Sequence, residues 1–339
     1  MRSVLAGAFG AGVRLRNRLY DSGTITPRLL SGPVVSVGNV SVGGAGKTPF
    51  VILLGELLRH RGVRFDVLTR GYGRESKGVR VVDPGGAARD FGDEPLLIAR
   101  KLNVAVVVGE DRYQAGLRAE QEFGPQLHLL DDGFQHRQLA RDFDIVLVTP
   151  EDARDRLLPA GRLREPLSSL RRADTVVLAS GASAEQLPLG PEQRVWRLRR
   201  GIVPRGVSSR PVAFCGIARP QNFFLQLRKA GIEPAAEAAY RDHCRYSEAD
   251  VRDLLRVKQQ SEADGFVTTE KDEINLGALA AALQPLAVVP VRMQLEEPER
   301  VLEEMLATVT ARRPEWSVSS ETPEALRFSA KPGGVREKI

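Results

Sequence analysis

The segment Val34-Val-Ser-Val-Gly-Asn-Val-Ser-Val-Gly-Gly-Ala-Gly-Lys-Thr-Pro-Phe50 constrains this chain more than any other. Its first half is apolar and rich in valine, which predicts a buried strand. Gly43, Gly44 and Gly46 follow, and a helical pattern begins at Pro49. A strand that feeds a glycine-rich turn and then a helix points consecutive backbone N–H groups at one place. The helix N-terminus adds favourable partial charge there. Such a loop wraps phosphate oxygens. Lys47 is placed to reach the β and γ phosphates of a nucleoside triphosphate, and the Thr48 hydroxyl to hold Mg²⁺. Ser41, Val42, Gly43, Gly44, Ala45, Gly46, Lys47 and Thr48 therefore form the expected nucleotide-binding loop. The motif ordinarily opens on glycine. Position 41 is serine here, and the sequence gives no physical reason for it. A tight glycine turn with an incidental Lys-Thr would explain the glycines, but not the strand before them and the helix after.

Short β-rich runs alternate with helical patterns around this loop. The runs are 33–40, 64–69, 104–109, 127–131, 143–149 and 174–179, with helical stretches at 49–61, 94–101 and 111–123. Strands that are apolar throughout and separated by helices predict a parallel sheet covered on both faces. The expected fold is α/β, a P-loop NTPase-type doubly wound α/β/α layer structure. Residues 181–210 break the rhythm with Gly, Pro, Gln and Arg, and 194–200 reads as one isolated strand. A second, smaller α/β set follows at 212–216, 221–230, 247–260, 265–269 and 287–293, then a closing helix at 298–311. The expected organisation is a first domain at 1–185, a short β linker at 186–208 and a smaller domain at 209–312. The polar, aperiodic tail at 313–339 reads as disordered.

Composition narrows the function classes. The 339 residues are 42% hydrophobic and 27% charged, which is globular. No apolar run approaches the roughly 20 residues that cross a bilayer. Cys215 and Cys244 lack metal-ligand spacing and fit a reducing compartment. The net charge of +6 admits nucleic acid, an anionic membrane or an anionic substrate. Aromatic residues are only 6% and do not interleave with basic stripes, so no nucleic-acid partner is expected. Near the N-terminus Val4, Leu5, Ala8, Phe9, Leu15 and Leu19 share one helical face, with Arg14 and Arg18 opposite and Arg16 falling inside the apolar arc. A basic amphipathic helix of this kind lies in a membrane interface or packs on its own domain. Both readings stand at this point.

A second acidic element supports the nucleotide site. Leu127-His-Leu-Leu-Asp-Asp-Gly133 is an apolar strand ending in two carboxylates, and an Asp so placed helps to hold Mg²⁺ in P-loop enzymes. No Asn is followed by Lys, so the Asn-Lys-x-Asp signature of guanine recognition is absent. Val42 occupies the position of the extra lysine of ParA-like and MinD-like switches.

Other segments fall in a telling order. They are Gly38-Asn-Val-Ser-Val-Gly-Gly-Ala-Gly-Lys-Thr-Pro49, Thr69-Arg-Gly-Tyr-Gly73, Gly92-Asp-Glu-Pro-Leu-Leu-Ile-Ala99, Asp131-Asp-Gly-Phe-Gln-His136, Leu158-Pro-Ala-Gly-Arg-Leu-Arg-Glu-Pro166, Phe214-Cys-Gly-Ile-Ala218, Asp242-His243 and Thr268-Thr-Glu-Lys-Asp272. As an ordered set they resemble the tetraacyldisaccharide 4′-kinases, the lipid A 4′-kinase family, from the first helix to about residue 295. The resemblance implies two α/β/α domains joined by a short β linker. It implies transfer of the γ-phosphate of ATP to the 4′-hydroxyl of a tetraacylated glucosamine disaccharide 1-phosphate. It also implies work at the cytoplasmic face of the inner membrane of Gram-negative bacteria, which favours the membrane reading of the first helix.

The same resemblance assigns roles. Asp93 is expected as the base that accepts the hydroxyl proton, with His243 orienting it, and Lys47 as the phosphate-binding lysine. Glu94 and Arg164 are expected at the ATP site. Asp131, Asp132 and Glu165 join Thr48 as candidate metal-site residues, although Arg164 and Glu165 also read as a surface ion pair beside Pro166. His136 is expected to orient a carboxylate or touch substrate. Arg70 and Arg112 are candidates for phosphate contacts, and Lys271 for nucleotide-base or interdomain contact. The competing class is a non-catalytic P-loop switch or chaperone-type ATPase, which has no need of a base for a sugar hydroxyl.

Overall fold

The computed structural model describes residues 2–191 and 193–316. Two parallel-type sheets organise them. The strands in chain order are β1 (Val34–Asn39), β2 (Phe65–Thr69), β3 (Arg80–Val81), β4 (Val106–Val108), β5 (Leu127–Asp131), β6 (Phe143–Val148), β7 (Thr175–Ala179), β8 (Arg194–Ile202), β9 (Pro211–Cys215), β10 (Ala236–Ala239), β11 (Gly265–Thr269), β12 (Leu286–Val289) and β13 (Val291–Leu295). The helices are α1 (Arg2–Asp21), α2 (Lys47–His60), α3 (Ala88–Phe91), α4 (Asp93–Leu102), α5 (Arg112–Phe123), α6 (Pro220–Lys229), α7 (Glu248–Gln260), α8 (Glu270–Leu276) and α9 (Pro298–Arg312).

The large sheet has the order β13-β8-β7-β6-β1-β5-β2-β4-β3, with antiparallel pairing only at β3 and β13 on its two edges. The small sheet, β10-β9-β11-β12, is parallel throughout. β1 lies between β5 and β6, so the chain leaves it toward one half of the sheet and returns to the other. That reversal opens a crevice at the C-terminal end of β1, the position at which doubly wound sheets bind ligands. β1, β2, β5 and β6 are buried at every position. Helices α2, α4 and α9 cover one face of the large sheet, and α5 covers the other.

Two expectations about the linker and the second domain are corrected. The strand expected alone at 194–200 is β8, which pairs in parallel with β7 and antiparallel with β13. The run expected as one strand at 287–293 breaks at Pro290, which has no N–H to donate to a ladder. β12 ends in the small sheet before Pro290, and β13 begins in the large sheet after it. β8 and β13 thus form the short β connection between the units.

The closing helix does not belong to the small unit either. Val301, Leu302, Met305, Leu306 and Val309 of α9 pack into the core of the large sheet beside Trp196 and Phe143. Arg313 donates to Asp142 at 2.8 Å, and the Trp316 indole to the Gln126 carbonyl at 2.6 Å. Residues 313–316 are therefore anchored, and the rest of the expected disordered tail lies outside the described residues.

α1 settles one question left by its sequence. The residues it turns toward the protein are Ala6, Gly10, Val13, Asn17, Leu19 and Tyr20, a stripe that shares only Leu19 with the apolar face. Gly10 lies close against Leu157, and Asn17 donates to Glu165 at 2.9 Å. Val4, Leu5, Phe9 and Leu15 of the apolar face stay exposed, at 77%, 52%, 37% and 60%. The helix packs on its domain, but of that face only Leu19 takes part. No helix among the described residues is long and apolar enough to cross a membrane.

Candidate active site

The loop after β1 takes the shape its glycines allow. Gly43, Gly44 and Gly46 have φ of 71°, 72° and 80°, a left-handed backbone that strains other residues. Space also requires them. A Cβ on Gly43 would come within 2.9 Å of Ala218, one on Gly44 within 2.9 Å of the Arg219 side chain, and one on Gly46 within 2.6 Å of Met293. The loop is thus closed in by the small unit and by β13. Ser41 is different. It lies outside the left-handed region, is buried, and forms an antiparallel bridge to Leu163. An extended residue tolerates a Cβ, which explains the serine.

At the end of β5 the two carboxylates have opposite surroundings. Asp132 receives the Arg164 fork, at 2.8 Å and 3.0 Å, and Lys47 lies 3.4 Å away. Burial works against its charge, but Lys47 and Arg164 hold it well below the usual carboxylate range. Lys47 also donates to Asn39 at 3.1 Å. Asp131 is 2% exposed, and its Oδ2 accepts from Thr69 at 3.0 Å. Its Oδ1 has no partner. Burial, Glu94 and Asp132 push its pKa up to about 7. A buried carboxylate oxygen without a partner, in one cleft with Thr48 and a phosphate-binding loop, is a hard-oxygen donor set that fits Mg²⁺. Among the described residues no group of three or more His, Cys, Asp or Glu side chains would hold a metal by itself. Mg²⁺ commonly takes one or two carboxylates and completes its shell with phosphate and water, so the set remains suitable.

Across the cleft, Asp93 opens α4. Gly92 before it has φ 93°, and a Cβ there would lie 2.9 Å from the Tyr72 carbonyl. His243 comes from the small unit, 150 residues away in sequence, and its Nδ1 is 3.0 Å from both Asp93 oxygens. Asn275 donates to Asp93 at 2.9 Å, and the Glu94 N–H donates to it at 2.8 Å. Lys271 sits 3.3 Å from Glu94, 3.4 Å from Asp242 and 3.3 Å from His243 Nε2. Burial would raise the pKa of Asp93, but His243, Lys271 and Asn275 outweigh it, and Asp93 lies below the ordinary value. Burial would lower His243, and the hydrogen bond to Asp93 wins, so its pKa is raised. His243 and Asp132 both have left-handed backbones, with φ of 57° and 51°. Such strain persists only where the surroundings enforce it, and it clusters at functional sites.

One cleft of about 840 Å³ joins these groups. Positions 42–48 of the phosphate loop, Asp131, Asp132, Arg164, Glu94, His243 and Lys271 all line it, while Ser41 does not and Asp93 lies just behind His243.

The family model for Tetraacyldisaccharide-1-P 4′-kinase matches residues 2–310. The chain belongs to that family. It is therefore a phosphotransferase acting on a hydroxyl group. It is 50% identical over 319 residues to the tetraacyldisaccharide 4′-kinase of Koribacter versatilis, spanning 91% of this chain and 99% of that one. The Geobacter metallireducens tetraacyldisaccharide 4′-kinase is 38% identical over 318 residues, 88% and 94% of the two chains. The crystal structure of LpxK from Aquifex aeolicus, described as an "apo" form in complex with ATP, superposes with a TM-score of 0.74. That match has 34% identity and covers 90% of this chain and 97% of that one.

In this tetraacyldisaccharide 4′-kinase family member, three further expected site residues, Glu165, His136 and Arg112, stand outside the cleft lining. Glu165 is fully buried, gripped by Arg172 at 2.7 Å and 2.8 Å and by Asn17, and it does not line the cleft. Its oxygens are already taken, so the expected metal role is replaced by an anchor for α1. His136 also lies outside the cleft lining. Burial and Arg112 push its pKa down to about 4, so it is neutral. Arg70 lines the cleft, whereas Arg112 is buried and donates to the Glu110 carbonyl at 2.7 Å. Lys271 makes the interdomain contact rather than standing free for a nucleotide base. Asp272 is a brace that accepts from Gly216 N and the Tyr246 hydroxyl at 2.7 Å and 2.8 Å.

Sequence reasoning missed Asn39, Thr69, Tyr72, Asn275, Arg200 and Arg219. Asn39 and Tyr72 lie inside segments quoted for their order, and the Tyr72 ring is 5.0 Å from that of His243. Asn275 is one helical turn beyond Lys271, a spacing that puts both on one face. Arg200 and Arg219 carry no signal of their own in the sequence.

Proposed function

We propose that the chain transfers the γ-phosphate of ATP to the 4′-hydroxyl of a tetraacylated disaccharide 1-phosphate, with Asp93 accepting the hydroxyl proton. The observation that carries this reading is the Asp93–His243 contact at the wall of the cleft that contains the phosphate loop. A sugar hydroxyl is a weak nucleophile, and it becomes competent when it is positioned and its proton is received as the new bond forms. Asp93 is ionised at neutral pH because His243, Asn275 and Lys271 stabilise its charge. It holds little affinity for a proton until the hydroxyl oxygen becomes acidic in the transition state. His243 orients the carboxylate and supports the proton it receives. Lys47 and Arg164, now paired with Asp132, are placed to exchange that partner for phosphate oxygens. Asp131 and Thr48 would hold Mg²⁺, which supplies charge neutralisation on the phosphates when bound. Residues from both units complete the site, so the two units act as one catalytic body.

The acceptor's acyl chains place the reaction at a bilayer, and we read α1 as the element that meets it, at the cytoplasmic face of the inner membrane. Its exposed Val4, Leu5, Phe9 and Leu15 enter the interface, and its arginines face anionic headgroups. Serine at these four positions should release the protein from anionic vesicles in a flotation assay. Unchanged flotation would remove this part of the reading.

The catalytic test uses ATP and acylated disaccharide 1-phosphate in mixed micelles. Asp93→Asn should lower product formation by about 10²–10⁴-fold, the range for loss of a general base, while nucleotide affinity stays near that of the parent. A fully active variant would overturn the assignment.

A further inference from the structure

Arg200 is a charged residue on the inward face of a strand. Along β8, Trp196 and Leu198 point into the core, at 2% and 3% exposed, while Arg199 faces outward and pairs with Glu296. Arg200 continues the inward face beyond the core and lines the nucleotide cleft. Its Nη1 would lie 3.7 Å from a Cβ on Gly46, against the phosphate loop itself. Among the described residues its side chain has no hydrogen bond and no ion pair, and its Nε is buried without a partner. The nearest charge of consequence is a second guanidinium, Arg219, which also lowers the pKa of Arg200 after the larger effect of burial. Arg219 is balanced, because Glu151 lies 2.8 Å from it. Arg200 is not. Arg200 is half-buried, and a charge withdrawn from water is costly unless an opposite charge answers it. No acidic residue answers this one, so the partner it is built for comes from outside the protein and is an anion.

We propose that Arg200 binds a phosphate oxygen of the nucleotide, approaching the loop at Gly46 from the strand pair that links the two units. This rests on the kinase reading, and it adds the linking strands to the nucleotide site. The contact exists in the ground state, so it acts on nucleotide affinity rather than on the chemical step.

The test measures ADP and inorganic tripolyphosphate binding by calorimetry to the full chain and to R200A, R200Q, R200K and R199A. A charged hydrogen bond of ordinary strength predicts roughly 10–100-fold weaker binding of both ligands in R200A and R200Q. R200K keeps the charge without the fork and should fall between. R199A should bind within about twofold of the parent chain. In steady-state assays the KM for ATP should rise by a factor similar to the loss of affinity, with kcat changed by less than about threefold. R200Q keeps the bulk of the side chain and gives the answer if R200A does not fold. Affinities in R200A or R200Q within twofold of the parent would overturn the proposal. So would a loss of ADP affinity with tripolyphosphate affinity unchanged, which would place the contact on the nucleoside. A parent chain that binds ADP but makes no lipid product would instead remove the kinase reading and leave the Arg200 contact standing.

Discussion

At the scale of single residues, the two aspartates that end β5 show how much neighbours decide. Asp132 is answered closely by Lys47 and Arg164, whereas Asp131 has only the more distant charge of Lys47 and a threonine hydroxyl. The Asp131 pKa rises from an ordinary 3.8 to about 7, so the folded protein holds this proton more tightly than the unfolded chain does. The cost of ionising it in the fold therefore begins near pH 4 and is complete above about 7. Asp131→Asn removes that cost. We expect the variant to be more stable than the parent at pH 8 in chelator, by up to about 4 kcal/mol for a pKa rise from 3.8 to about 7, and to lose the advantage at pH 4, both read from urea unfolding. Mg²⁺ with nucleotide should narrow the gap at pH 8 by stabilising the parent alone. A variant less stable than the parent at pH 8 would show that the Asp131 carboxylate is not strained in the fold.

At the scale of elements, α9 returns to the large sheet after the chain has built the small unit. Its apolar face closes over the side of the large sheet that contains α2 and α4, and Met305 is fully buried there. Met305→Ala should therefore lower stability by about 2–5 kcal/mol, the range for emptying such a site, as read from the urea midpoint. An effect under about 0.5 kcal/mol would show that α9 is only loosely applied. The phosphate loop illustrates the opposite relation between element and sequence. Its glycines are set by local backbone needs, which is why the motif was legible, while Ser41 is explained by a bridge to Leu163 more than a hundred positions away.

At the scale of the molecule, the cleft belongs to both sheets. Contacts such as Lys271 to Glu94 and Asn275 to Asp93 join the small unit to α4, and Arg219 joins it to Glu151. A ligand in this cleft stabilises whatever walls it touches. ADP with Mg²⁺ at about 100 times its Kd should add about 2.7 kcal/mol to the stability of both units together. Scanning calorimetry should show this as a shift of the whole unfolding endotherm. An endotherm that splits, with one part unmoved by ligand, would place the nucleotide on one unit only.

The sequence by itself determined the strand–loop–helix phosphate site, the parallel sheets and the family, because these rest on local periodicity and on glycine positions that no tertiary context overrides. It also named Asp93 and His243, but only by likeness to other chains, since nothing local links two residues 150 positions apart. The tertiary structure alone decided where β8, β13 and α9 belong, that Glu165 serves α1, and that Arg200 stands unanswered beside the loop. Each of these depends on which surface a segment packs against. A short amphipathic strand or helix satisfies its own pattern equally well on either sheet, so the choice is made by the remote partners it meets.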